Sequence, residues 1–228
     1  MDQRTTGLIL RTRPLTETSL IVEWLSPDCG RLATVAKGAR RAKSAFRGKL
    51  DLFFLCEFTF VRSRRSELHT LREVSLVDAH PLLRTNLGWL EQAAYATALI
   101  EQTTERETPL AGCFELLLGF VRQLPVQPPG AESVLAFEMK LLSELGLRPD
   151  LAQASLSPGA SQALNTLATL EWPALARLRL TPAQRTEIRR FLHGFLIYHL
   201  GRLPAGRSRA LGVSTEPADG APPAGPPG

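Results

Sequence analysis

Seven cations stand in the twenty-one residues from Gly30 to Leu50, G-R-L-A-T-V-A-K-G-A-R-R-A-K-S-A-F-R-G-K-L. They are Arg31, Lys37, Arg40, Arg41, Lys43, Arg47 and Lys49, and no carboxylate is interleaved with them. Positive side chains at this density can neutralise the phosphates of a nucleic-acid backbone and release its counterions. Arg11, Arg13, Arg62, Arg64 and Arg65 on neighbouring elements extend the set. Contacts of this kind fix position and carry little base preference. The net charge has the same address. Residues 1–80 hold 14 Lys+Arg against 9 Asp+Glu, whereas the other 148 hold 13 against 13, so the whole +5 lies in the first third. That asymmetry points to an anionic partner for the N-terminal part. A merely solvated basic face is the competing reading.

Catalytic constellations are missing. His69, His80, His193 and His199 are scattered, and the last two are six apart rather than at the i, i+4 spacing that brings ligands together. Lys37-Gly38 resembles a fragment of a phosphate loop, but no complete G-x-x-x-x-G-K-[ST] or G-x-G-x-x-G follows a strand. Carboxylates such as Asp51 and Glu57 have no Ser, Cys or His companion that spacing can place. Cys29, Cys56 and Cys113 form neither a C-x-x-C nor a disulfide framework. No catalysis, metal or cofactor is expected. The N-terminus M-D-Q-R-T-T-G lacks an apolar signal region, and no window holds 18 consecutive apolar residues. These features predict a soluble cytoplasmic protein with no membrane partner.

The elements that must hold the cations are strands. Gly7–Arg13, Ser19–Leu25 and Arg31–Ala36 precede the basic loop; Leu52–Val61 and Leu68–Leu76 follow it. Strict alternation in the first strand puts Leu8, Leu10 and Thr12 on one face and Ile9, Arg11 and Arg13 on the other. Phe54, Cys56, Phe58 and Phe60 share one face of the fourth. Five short strands around one long loop predict a five-stranded OB-type barrel over residues 1–80, closed so that no edge is exposed. From Asn86 the apolar period becomes helical. Leu110, Phe114, Leu117, Val121 and Leu124 form one stripe, and Val134, Phe137, Leu141, Leu142 and Leu145 another, ended by Gly146. Leu164, Leu167 and Leu170 suggest a short helix. Thr181-Pro182-Ala183-Gln184 is a capping box that opens a last helix, with Ile188, Phe191, Leu192 and Phe195 as its buried stripe. The expected class is therefore two-domain α+β, with a barrel over 1–80, an all-α domain over 81–211, and a disordered Pro/Gly-rich tail over 212–228. Phe46 is the main candidate for stacking on bases, with Phe53 and Trp24 behind it.

Five strings in order resemble the bacterial recombination mediator family RecO. They are L-I-L-R-T-R-P-L-T-E-T-S-L-I-V (Leu8–Val22), V-A-K-G-A-R-R-A-K-S (Val35–Ser44), L-V-D-A-H-P-L-L-R-T-N-L (Leu76–Leu87), F-E-M-K-L-L-S-E-L-G-L-R-P-D-L (Phe137–Leu151) and Y-H-L-G-R (Tyr198–Arg202). The resemblance implies an OB fold followed by helices, binding of single- and double-stranded DNA, and annealing of complementary strands, close to the nucleoid. It implies work with RecR to load RecA, itself an indirect partner, onto DNA coated by single-stranded-DNA-binding protein, whose C-terminal tail docks on the family's helical domain. Many members carry a four-cysteine zinc site after the R-P-D-L passage. Here that place reads A-Q-A-S-L-S-P-G-A-S-Q, which matches the zinc-free branch and leaves the fold of residues 151–162 open. The rival functional class is a protein-interaction scaffold whose basic loop docks an acidic tail; a translation-related RNA binder is disfavoured by the neutral helical half.

Overall fold

The computed structural model describes residues 2–212; the predicted disorder of the tail beyond Gly212 lies outside the described residues. Five strands come first: β1 (Asp2–Pro14), β2 (Leu20–Ser26), β3 (Gly30–Ala36), β4 (Leu55–Val61) and β5 (Leu68–Asp78). They close into a barrel in the order β1-β2-β3-β5-β4, with β4 returning to β1. Only the β3–β5 pair is parallel, through Ala33–Leu68, Thr34–His69 and Val35–Thr70. Inside lie Ile9, Val22, Leu32, Phe58 and Phe60, with Trp24 stacked on Phe58 at a 4.0 Å centroid separation. The indole N–H of Trp24 donates to Thr34 Oγ1 at 2.8 Å, which satisfies the polar atom such a ring carries into a core.

The expected alternation along β1 fails at one point. Ile9 pairs with Trp24 but Arg11 pairs with Glu23, so one extra residue, Leu10, is accommodated in a bulge. Continued alternation would have sent Arg11 and Arg13 to the side of Ile9, inside the barrel. The bulge restores them to the outside, where their side chains are 56% and 57% exposed.

A 3-10 turn (Pro81–Thr85) leads to the helices α1 (Leu87–Thr103), α2 (Ala111–Gln123), α3 (Ala131–Glu144), α4 (Pro158–Thr169), α5 (Trp172–Leu175), α6 (Pro182–Leu200) and α7 (Arg207–Ala210). Local signals account for several of their ends. Asn86 Oδ1 accepts from the Gly88 N–H, and the Thr181/Gln184 capping box is present in both directions. Gly146 takes φ 71°, and the Leu147 N–H reaches back to the Leu142 carbonyl at 2.8 Å, a Schellman ending. Residues 151–162 resolve into a turn-rich connection and the start of α4, whose N-cap is Ser157.

The two parts share a core. Leu8, Leu10, Leu25, Phe53 and Leu55 on the barrel join Tyr95, Leu99, Phe114 and Leu117 of the helices in one buried cluster. This explains why β2 carries apolar residues on both faces: Val22 and Trp24 fill the barrel while Leu25 faces the helices. A buried triad ties α1, α3 and α7 together. Glu138, fully buried, accepts from Tyr95 Oη at 2.6 Å and from Arg207 Nε and Nη2 at 2.7 and 2.8 Å.

Candidate nucleic-acid interface

The segment between β3 and β4 is a chain of linked turns. Backbone N–H groups of Ala39, Arg41, Ser44, Arg47 and Lys49 each donate to the carbonyl three residues earlier, at 3.1–3.3 Å. Gly38 and Gly48 supply the left-handed backbone at two of these bends, both with φ 71°. Two anchors hold the loop to the barrel. At its start Arg40 donates from its backbone N–H to the Thr18 carbonyl at 3.0 Å and from Nη1 to the Thr16 carbonyl at 3.1 Å, on the β1–β2 loop. At its end Arg84 donates to the Leu52 carbonyl, pairs with Asp51 at 3.1 Å and lies over the Phe54 ring. Phe46 is half-buried and packs on the barrel core together with Leu50 and Ala39. The loop thereby gains a shape without regular secondary structure.

Its cations point into solvent. Lys37, Arg40, Arg41, Lys43 and Arg47 are exposed and Lys49 is half-exposed. Among the described residues none of the six pairs with a carboxylate.

The remaining cations of the expected set sit elsewhere. Arg31 is half-buried at the seam with the helices, donating from Nε to Thr104 Oγ1 at 2.8 Å and from Nη2 to the Thr104 carbonyl. Burial, and then the neighbouring Arg106, lower the Arg31 guanidinium from its ordinary value. Arg11 bridges β1 to α1 through Glu101 at 2.6 Å, and that hydrogen bond raises its pKa. Arg13 reaches Glu23 only loosely, at 3.9 Å, and Glu23 also receives Arg106. Arg62 is paired with Glu107. Arg64 and Arg65 are exposed on the β4–β5 turn that starts at Arg62. Because the Glu107 N–H donates to the Arg31 carbonyl, this turn lies at the Arg31 end of β3. Lys37 is at the other end, about 20 Å away for seven residues of strand. The predicted cations are therefore divided in space: six loop cations, without a carboxylate partner among the described residues, lie at one end of the barrel, Arg11, Arg31 and Arg62 are engaged along the seam, and Arg64 and Arg65 are exposed at the other end.

That seam is the part that sequence reasoning missed. Residues 106–107 lie beside β3, with a parallel bridge between Arg31 and Arg106. Gly30 permits this approach: it has φ 66°, and a Cβ there would stand 2.0 Å from the Thr108 carbonyl oxygen. His69, 1% exposed, accepts the Ser63 N–H on Nδ1, which leaves its Nε2 as the N–H facing Glu107 at 2.9 Å. Burial lowers its pKa. A run such as Glu105-Arg106-Glu107 following a helix was the only local hint of a charged seam.

The expected stacking residues are also placed. Trp24 is fully buried in the barrel and Phe53 is 3% exposed beneath the helices. Phe46 spends its ring on the barrel. Among the described residues of the barrel no aromatic ranks with the exposed large apolar side chains; Tyr198, on α6, is the one aromatic that does.

A closed β1-β2-β3-β5-β4 barrel with a basic β3–β4 loop, seated on a helical domain, defines the class as an OB-type two-domain protein. The comparisons give the family. Residues 1–80 match the family described as Recombination protein O N terminal, and residues 90–156 match Recombination protein O C terminal. The DNA repair protein RecO of Anaeromyxobacter sp. (strain K) is 30% identical over 243 residues, covering 91% of this chain and 95% of its own. That of Myxococcus xanthus (strain DK1622) is 28% identical, over 86% of this chain and 91% of its own. That of Azoarcus sp. (strain BH72) is 40% identical over 148 residues, 64% of this chain and 58% of its own. The chain belongs to the RecO family of DNA repair proteins.

Proposed function

We propose that the protein is a non-catalytic mediator of recombinational repair that holds DNA on its β3–β4 loop and anneals complementary strands. The observation that carries this reading is the loop itself: six cations without carboxylate partners among the described residues, on a folded scaffold anchored at both ends to the barrel. Lys37, Arg40, Arg41, Lys43, Arg47 and Lys49 are its primary contacts, and Arg13, Arg64 and Arg65 are available to longer strands. Arg11, Arg31 and Arg62 act in the seam instead. With no aromatic platform on the barrel, affinity comes from phosphate neutralisation, so single and double strands are both bound and base composition matters little. Two strands whose repulsion is screened on one basic surface can meet and pair.

Family membership supports the partner set: RecR, the C-terminal tail of single-stranded-DNA-binding protein, and RecA as the recombinase loaded downstream. Annealing of complementary oligonucleotides, with and without single-stranded-DNA-binding protein bound to them, tests the proposal. Acceleration in both cases is expected. Unchanged annealing, combined with tight capture of an acidic peptide by the loop, would replace the proposal with a protein-docking role.

A further inference from the structure

Glycine disfavours a helix interior relative to alanine, and most helical glycines here have a neighbour that needs the space. At Gly119 a Cβ would stand 2.6 Å from Trp172 Nε1, and Gly88, Gly112 and Gly159 meet a neighbour just as closely. Gly194, well inside α6, is different: nothing lies within 4 Å of where its Cβ would be. It lines an open groove of about 1100 Å³ along α6. The row at every fourth residue, Thr186, Arg190, Gly194 and Tyr198, runs along this groove, with the stacked rings of Phe191 and Phe195 beside it. Tyr198 is 83% and Ile197 39% exposed. Arg190 is exposed and pairs with no carboxylate among the described residues. The carboxylate in the lining, Glu187, is held by the backbone N–H and hydroxyl of Ser157.

We propose that this face of α6 docks against the same face of a second copy of the chain, with a two-fold axis passing beside Gly194. What selects that occupant is self-complementarity. A two-fold axis at Gly194 sets each residue a given number of steps before it against the residue the same number of steps after it in the other copy. Arg190 and Tyr198 lie four residues either side of Gly194, and Phe191 and Ile197 three. Within one helix Arg190 and Tyr198 are about 12 Å apart along the axis and do not meet. Across the two-fold each guanidinium comes to the other copy's Tyr198 ring, twice per dimer, as a cation over a π face. Phe191 meets Ile197 in the same way, which covers the exposed part of both. Helices that pack through rows at every fourth residue have axes 8–10 Å apart, and a glycine at the crossing admits the closer end of that range. The contact is one helix face per copy, at the small end for protein interfaces, so the dimer is a weak one, of about micromolar affinity or below. No residue of the β3–β4 loop lines the groove. A dimer therefore carries two such loops in one particle, which suits the pairing of two strands; that consequence, unlike the dimer, rests on the DNA-binding reading.

Sedimentation velocity on the full chain without DNA, from about 1 to about 200 μM, tests the proposal. A concentration-dependent dimer is expected. Gly194→Leu should abolish it by holding the helices apart, while its thermal melt stays level or rises, because the site is open within the chain and leucine favours a helix. Arg190→Tyr and Tyr198→Arg should each weaken the dimer about tenfold, since symmetry removes the contact twice. The double swap, Arg190→Tyr with Tyr198→Arg, re-creates both pairs across the axis and should restore it. A chain that stays monomeric, including one whose groove takes up an acidic peptide instead, would overturn the proposal. So would a dimer indifferent to Gly194→Leu, or one that the single changes weaken and the swap fails to recover. DNA binding by the barrel loop is read separately, by titration of an oligonucleotide, and none of these outcomes alters it.

Discussion

Arg31→Ala separates the spatial account from the sequence pattern most sharply. By sequence Arg31 is the first of seven equivalent cations. In the structure its guanidinium makes two hydrogen bonds to Thr104 on the helical side of the seam. A hydrogen bond from a charged donor contributes about 1.5–3 kcal/mol, and removing the donor leaves the carbonyl and hydroxyl of buried Thr104 without it. Two effects reduce the sum: Arg31 is partly solvated, and its loss relieves repulsion with Arg106. A net destabilisation of about 2 kcal/mol is expected, or roughly 4–8 °C in Tm for a chain of this size. DNA affinity should keep its salt dependence, because no phosphate contact is removed. Thermal unfolding by circular dichroism and a salt titration of oligonucleotide binding read the two effects on one preparation. An unchanged Tm with a salt slope smaller by about 0.7 would show that Arg31 is a phosphate ligand and that the seam assignment is wrong.

Further expectations follow from the same geometry. Gly30→Ala should lower the urea midpoint by an amount equivalent to about 2–4 kcal/mol, from left-handed strain plus the clash with Thr108; an unchanged midpoint would mean that residues 106–108 do not lie against β3. Glu138→Gln strands the Arg207 cation in the core and should cost about 3–5 kcal/mol in a denaturant melt. Burial lowers both His69 and His80, so the unfolded chain takes up protons first as pH falls below about 6.5, and stability should decline from there toward acid. His69→Gln should flatten part of that decline in melts from pH 7 to 5, and an identical slope would remove His69 from the account. Phe46→Leu should lower stability slightly and leave single-strand affinity intact; a large affinity loss in a binding titration would make Phe46 a stacking residue.

The sequence was most legible where structure depends on neighbours along the chain. The capping box at Thr181, the Gly146 helix ending, the apolar stripes of α2 and α3, and the density of cations between two strands are all local patterns, and each corresponds to what the fold does there. What could not be read depends on partners far away in sequence. Arg31 differs from Arg40 only because Thr104, 73 residues on, meets one and not the other. Phe46 looks like a free loop aromatic until the barrel end that receives it is in place. The bulge at Leu10 reverses the face of Arg11 and Arg13 through pairing with β2, which no alternation rule for a single strand contains.

The central claim is that the β3–β4 loop holds DNA by charges that have no carboxylate partner among the described residues. Its most direct test is the salt dependence of oligonucleotide binding for the Arg40→Ala, Arg41→Ala, Lys43→Ala triple variant against the parent chain, by fluorescence anisotropy from about 50 to about 200 mM salt. Loss of three phosphate contacts should reduce the slope of log K against log salt by about 2 for single strands. A variant that binds with the parent's affinity and the parent's slope would contradict the assignment.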